Sequence, residues 1–180
     1  GAGAVRAPAQ HLSATDSAFA ALKSDGSVVA WGDKARGGRT GFAQHQLNSG
    51  VCSIVSSLAA FAALRSDGSV VAWGHPGQGG QSSEVEAQLR SDVQSISATR
   101  SAFTALKGDG SVVSWGSHNW GGDNAAVHGQ LVDVKHVYSN GYAFAAVRSD
   151  GSVVTWGNEQ RGGDCVAVQE QLQGVSSAAS

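Results

Sequence analysis

Four repeats of one short text fill almost all of this 180-residue chain. Each repeat carries an Asp-Gly pair, a Val-Val-x-Trp-Gly segment, a Gly-Gly pair and a closing Gln-Leu pair, always in that order. The tryptophans of these segments are Trp31, Trp73, Trp115 and Trp156, spaced 42, 42 and 41 residues apart. A period of about 40 residues indicates a propeller, a solenoid or another stacked array, because one such unit cannot bury its apolar surface alone.

Within one repeat, two β-prone runs flank a tight turn. In the third repeat the runs AFTALK and SVVSW enclose Asp109-Gly110, and Asp-Gly between apolar runs is a strong hairpin signal. Both runs are apolar with little alternation, so each strand needs cover on both faces. An antiparallel blade stacked between two similar blades provides that cover, whereas a parallel solenoid has no tight hairpin in every unit. The later run AVHGQL, at Ala126–Leu131, fits one helical turn and an outer strand equally well.

We therefore predict an all-β, propeller-type repeat fold with four blades of about 42 residues, arranged as a small ring or an arc. The predicted units are 9–50, 51–92, 93–133 and 134–174, preceded by a tail at 1–8. Residues 175–180, VSSAAS, match the first strand of a unit. We expect them to form the start of a fifth unit or a closing strand.

The repeated text resembles the regulator of chromosome condensation repeat family, whose units carry a strand of the AFTALK kind, then DGSVVSWG, then a glycine-containing stretch. The resemblance covers residues 9–180 and implies a β-propeller with about four, sometimes three, strands per blade. The short units resemble those of the bacterial propellers that inhibit β-lactamases through loops on one face. No residues here match those that the founding member needs for GTPase exchange, and the GWRHT motif of the plant ultraviolet-B receptor is absent.

The charge balance argues against a nucleic-acid partner. The sequence has 12 Lys and Arg against 14 Asp and Glu, a net charge of −2, whereas nucleic-acid binders usually display a clustered basic excess. No apolar run approaches the roughly 20 residues of a transmembrane helix, which predicts a soluble protein or one held at a membrane complex by other proteins. Because methionine is absent, we expect a processed product, a fragment, or a chain trimmed after expression. The compartment is unknown, and an organellar or a secreted location is compatible with the sequence.

No catalytic, metal or cofactor arrangement is evident in the sequence. The six histidines occupy different positions of the repeat, and only His75 and His118 lie at nearly matching positions one unit apart. No histidine or cysteine pair has the short spacing of a zinc site, and no Gly-x-Ser-x-Gly elbow is present. Turn geometry explains the recurring aspartates of the Asp-Gly pairs. We therefore predict a protein that is not an enzyme and holds neither a metal nor another cofactor.

Between the Trp-Gly and Gly-Gly pairs of each repeat, four residues vary freely. These four windows are 33–36, 75–78, 117–120 and 158–161. A rigid scaffold that presents variable loops at fixed intervals is suited to protein binding. We predict a non-catalytic protein-interaction module that binds an unidentified protein. Its predicted contact residues are Lys34, Arg36, His75, Gln78, His118, Trp120, Glu159 and Arg161.

Trp120 is singled out because the other repeats have Arg or Gln at its position. An exposed Trp anchors many binding hot spots, and a Trp folded back onto its own blade is the equal alternative. The alternative function is an extrinsic structural subunit of a larger assembly, such as a photosynthetic complex at an organellar membrane. An enzyme or sensor that uses the propeller face is less favoured.

Overall fold

The computed structural model of the protein describes residues 9–175 and contains four three-stranded antiparallel sheets. The first strands of the sheets are β1 (Ala9–Ala14), β4 (Val51–Ser56), β7 (Val93–Ala98) and β10 (Val134–Ser139). The second strands are β2 (Ala18–Lys23), β5 (Ala60–Arg65), β8 (Ala102–Lys107) and β11 (Ala143–Arg148). The third strands are β3 (Val28–Gly32), β6 (Val70–Gly74), β9 (Val112–Gly116) and β12 (Val153–Gly157). We call the sheets blades 1 to 4 in chain order; the predicted all-β propeller-type fold of four blades is confirmed.

An aspartate fixes each hairpin turn between the second and third strands. In blade 1 the Asp25 carboxylate accepts hydrogen bonds from the Ser27 hydroxyl and from the Ser27 backbone N–H, the latter at 2.9 Å. These bonds, the hydroxyl bond first, lower the pKa of Asp25 from 3.8 to about 2. The equivalent serine bonds also lower the pKa of Asp67, Asp109 and Asp150. The recurring carboxylates therefore have the role in the turns that the sequence predicts.

Two 3-10 helices follow each third strand. The first helices span Lys34–Arg36, Pro76–Gln78, His118–Trp120 and Glu159–Arg161. The second helices span Gly41–Leu47, Glu86–Leu89, Ala125–Gln130 and Val166–Gln171. The run at 126–131 is thus mainly helical, which decides between the two structures that its sequence allows. Each blade has three strands, the smaller number that the family resemblance implies.

Each interface between neighbouring blades has two unlike halves. One blade contributes small side chains, and the next contributes a stacked Phe–Trp pair. Between blades 2 and 3, Ala60 and Ala62 pack in one cluster with Phe103, Ala105 and Trp115. The Phe103 and Trp115 rings stack with their centroids 5.4 Å apart. The weak alternation of the second strands follows from this arrangement, since both faces of an inner blade are covered.

A glycine receives each Phe–Trp pair from the following blade. The indole N–H groups donate to glycine carbonyls of the preceding blade: Trp73 to Gly37 at 3.0 Å, Trp115 to Gly79 at 3.0 Å and Trp156 to Gly121 at 3.1 Å. These glycines have φ of 98°, 90° and 94°, in the left-handed region. A Cβ on Gly37 would lie 2.6 Å from the Phe61 ring, so the position requires glycine for space as well as for conformation.

The four blades form an open arc. Backbone hydrogen bonds link the loops between first and second strands in series: Asp16 N–H to Leu58 O at 3.0 Å, Leu58 N–H to Arg100 O at 2.9 Å, and Arg100 N–H to Gly141 O at 3.1 Å. Within residues 9–175, no hydrogen bond joins blade 4 back to blade 1. Of the two arrangements that the sequence allows, these residues therefore adopt the arc.

The segment after blade 4 begins as a first strand would. The Val175 N–H donates to Gly151 O at 3.1 Å, as the Val51 N–H donates to Gly26 O at 3.0 Å at the start of blade 2. Residues 176–180 of the predicted fifth strand, and the predicted tail at 1–8, lie outside the described residues. The unit boundaries stay a prediction.

Candidate partner-binding face

All four windows lie at the same end of the blades, opposite the Asp-Gly hairpins. The backbone at the start of each window donates to the loop between the first two strands of its own blade, as Asp33 N–H does to Ser17 O at 2.8 Å. That loop also donates to the last residue of the window. These bonds run from Thr15 to Arg36 O, from Ser57 to Gln78 O, from Thr99 to Trp120 O and from Asn140 to Arg161 O, at 2.9 to 3.1 Å. The backbone of this end, which we call the window face, is thereby held at both ends of every window.

Most of the predicted contact residues point away from the blades. The exposed ones are Lys34, Arg36, His75, His118, Glu159 and Arg161. Gln78 and Trp120 are half-buried, and Trp120 packs against the core between blades 3 and 4. Trp120 is therefore neither freely exposed nor confined to its own blade, because it contacts the next blade.

Tyr142 joins the third and fourth windows. Its ring stacks on Trp120 with the centroids 4.8 Å apart and an interplanar angle of 27°. The Arg161 guanidinium lies over the same ring at 4.1 Å, and the Arg100 guanidinium lies over it at 5.2 Å. Cations over aromatic faces attract by about 0.5–1 kcal/mol at exposed sites. We call Arg100, Trp120, Tyr142 and Arg161 the Tyr142 cluster.

Two members of this cluster, Arg100 and Tyr142, were not expected from the sequence. Both lie in loops between first and second strands, outside the windows. A signal was nevertheless present: Tyr142 stands where the other repeats have Ser17, Ala59 and Ser101. A large aromatic side chain among small ones in a repeat marks a position where the scaffold alone does not explain the residue.

A groove of about 880 Å³ runs beside the Tyr142 cluster. Trp120 and Val127 line one side, and Glu159 and Asp164 line the blade 4 side. His118, also in the groove lining, lies with its Nδ1 3.6 Å from the Asp123 carboxylate. The groove therefore combines apolar side chains with exposed carboxylates, next to two windows.

Metal ligation is not supported by the described side chains. Among residues 9–175, no group of three or more His, Cys, Asp and Glu lies close enough to hold a metal ion. His75 and His118, the pair at matching positions, are both exposed, and the nearest charged partner of His118 is Asp123.

Among residues 9–175, no helix has the length and apolar character needed to cross a membrane.

Comparison with known proteins gives relatives by structure. Neither a family model nor a curated protein matches the sequence. Yeast RCC1 (Prp20) bound to Kap60 is similar with a TM-score of 0.59 and 20% identity, over 87% of this chain and 45% of that one. Prp20p of Saccharomyces cerevisiae, solved in a study of its binding to Gsp1p and histones, is similar with a TM-score of 0.57 and 22% identity, over 87% and 47%. Human WBSCR16 has a TM-score of 0.57 and 16% identity, over 86% and 49%.

The chain has the propeller-repeat fold of these proteins. The resemblance to the regulator of chromosome condensation repeats is thus confirmed at the level of the fold. The chain spans about half the length of each of these three structures.

Proposed function

We propose that this chain is a protein-interaction module that binds its partner through the window face, with the Tyr142 cluster at the centre of the contact. The observation that carries the proposal is that cluster: two half-buried aromatic rings and two exposed guanidinium groups held together across two blades. Tryptophan, tyrosine and arginine are the residue types most enriched at binding hot spots.

The scaffold lowers the entropic cost of binding at this face. Each window contains a 3-10 helix of three residues and is followed by a glycine in the left-handed region, and both ends of the window are hydrogen-bonded to the blade. A loop that is already ordered loses little conformational freedom when a partner docks. Side chains can therefore differ from window to window without a change in the backbone that presents them.

The partner is a protein segment that lies on the window face and presents carboxylate or aromatic groups to Arg100 and Arg161. Guanidinium groups pair with carboxylates in a planar geometry and stack on aromatic rings. The similar structures support a protein partner, since Prp20 is seen bound to Kap60 and its binding to Gsp1p and histones was studied.

The test compares two double variants of equal charge change. R100A/R161A removes both cations of the cluster, whereas R90A/K135A removes two cations at the hairpin end of the blades. The immobilised wild-type chain, each variant and a blank matrix are exposed to an extract of the source organism, and the captured proteins are quantified by mass spectrometry. We expect a protein captured by the wild type and by R90A/K135A but reduced roughly tenfold or more with R100A/R161A.

Equal capture by both variants, or a loss confined to R90A/K135A, would overturn the choice of face. Failure of the wild type to enrich any protein over the blank matrix would overturn the function itself. The extrinsic-subunit alternative stays a prediction, and it is distinguished by the mass of the native particle from which the chain is purified.

A further inference from the structure

Blade 1 presents a complete half of a blade interface to solvent. Its Phe19 and Trp31 rings stack with centroids 5.5 Å apart, as Phe61 and Trp73 do at 5.1 Å. Yet Phe19 and Trp31 are each 46% exposed, whereas Phe61 and Trp73 are 0% and 3% exposed. Within residues 9–175, the Trp31 indole N–H makes no hydrogen bond. The pair is therefore formed in advance and lacks the surface on which its counterparts pack.

Blade 4 presents the opposite half. Gly162 has a φ of 103°, like Gly37 and Gly121, but it is exposed where those two are buried. A Cβ on Gly121 would lie 2.5 Å from the Phe144 ring, whereas a Cβ on Gly162 would meet only the Asn140 amide, at 3.2 Å. The recess that receives a phenylalanine in the other blades is thus present and open to solvent in blade 4.

The small residues beneath this recess are also less covered. Ala145 of β11 is half-buried, whereas its counterparts Ala20 and Ala62 are 0% exposed. Leu172 is likewise half-buried, whereas Leu47 and Leu89 at the same repeat position are 0% and 2% exposed. The open face of blade 4 therefore has the shape and composition of the surface that the Phe–Trp pair of each inner blade covers.

We propose that the open face of blade 1 docks on the open face of blade 4 of a second copy of this chain. Phe19 then packs over Gly162, and the Trp31 indole donates to the Gly162 carbonyl, repeating the bond that Trp73 makes to Gly37. The occupant is a second copy because the chain itself displays both halves of an interface that it already forms three times internally. The contact is head-to-tail, so two copies close into a ring if the rotation permits, and otherwise copies add in series.

The proposal does not depend on the window face, which lies at one end of the blades rather than on their stacked surfaces.

The first measurement is the mass of the purified chain by light scattering over a range of concentrations. We expect twice the mass of one 18.2 kDa chain, or a larger multiple, with dissociation on dilution. Because Trp31 is the most exposed of the four repeated tryptophans, its fluorescence should shift to shorter wavelength as copies associate. A wild-type chain that stays monomeric at the highest concentration overturns the proposal.

Two complementary variants test the direction of docking. F19E/W31E disables the blade 1 face, and A145R disables the blade 4 face, each by placing an unpaired charge in the proposed contact. Each variant alone should self-associate at least roughly 100-fold more weakly than the wild type. A mixture of the two should form a 1:1 complex and nothing larger, because one intact face of each kind remains.

Contacts between identical faces would give a different pattern. If blade 1 docked on blade 1, A145R alone would still dimerise, and if blade 4 docked on blade 4, F19E/W31E alone would do so. Either result, or a mixture that forms no complex, overturns the head-to-tail contact. Circular dichroism checks that each variant is folded, and T155R on the same open face replaces A145R if that variant is unfolded.

Discussion

Blades 1 and 3 contain nearly the same text, yet their aromatic pairs have opposite surroundings. Phe103 and Trp115 are 0% and 4% exposed, whereas Phe19 and Trp31 are each 46% exposed. The stacking geometry of the two pairs differs by only 0.1 Å in centroid distance, from 5.4 to 5.5 Å. The strand pairing therefore forms the aromatic pair, and the preceding blade alone decides whether it is buried.

The largest expected effect is on stability, and it separates the two blades directly. We expect F103A to lower the free energy of unfolding by about 3–5 kcal/mol, since it leaves a cavity between blades 2 and 3. F19A should lower it by less than about 1 kcal/mol in the monomer, because water already reaches that ring. Urea denaturation followed by circular dichroism, at a concentration below any self-association, measures both. Equal losses of unfolding free energy in F103A and F19A would show that the Phe19–Trp31 pair is covered in the monomer.

The windows of the same two blades give a second, smaller contrast. W120A removes the stack on Tyr142 and part of the core between blades 3 and 4, so we expect a loss of about 1–3 kcal/mol. R36A, at the same repeat position in blade 1, should change stability by no more than about 0.5 kcal/mol, because the hydrogen bonds of Arg36 within residues 9–175 are made by its backbone, which the substitution keeps. Thermal melts of both variants supply the measurement. If W120A lowers stability no more than R36A does, Trp120 does not pack on Tyr142 and on the core between blades 3 and 4.

The turns should show the smallest difference between the blades, because Asp25 and Asp109 make the same bonds to Ser27 and Ser111. The folded pKa of Asp25, about 2, lies below its ordinary value of 3.8. Its contribution to stability is therefore present above pH 3.8 and is lost as the pH falls toward 2. We expect an NMR titration to give a carboxyl midpoint near pH 2 for Asp25, and S27A to raise that midpoint. A midpoint that S27A leaves unchanged would contradict the turn assignment.

Much of the fold was predictable because its causes are local. The Asp-Gly pairs specify hairpins through the preferences of single residues, and a repeated text gives the same hairpin four times. The choice between a turn of helix and an outer strand at 126–131 was not predictable, because a short apolar run fits either period. Ring closure was not predictable either, because it depends on the angle between blades rather than on any one residue.

The candidate site was predictable only in part. The windows were recognisable as the variable positions of the repeat, and all four lie at one end of the blades. Arg100 and Tyr142 were missed because they lie in other loops and reach Trp120 and Arg161 only when the blades stack. The half-burial of Trp120 was not predictable either, because Tyr142, the residue that stacks on it, lies in the next blade.

The sequence by itself determined the four blades, their hairpins, and the glycines and tryptophans by which one blade fits the next, because these features follow from short-range preferences repeated at a fixed period. Only the tertiary structure decided which copies of those residues are covered. Phe19 and Phe103 are the same residue in the same text, and stacking against a neighbour is a property of position in the arc. The two open faces and the Tyr142 cluster arise from contacts between blades, which no single repeat contains.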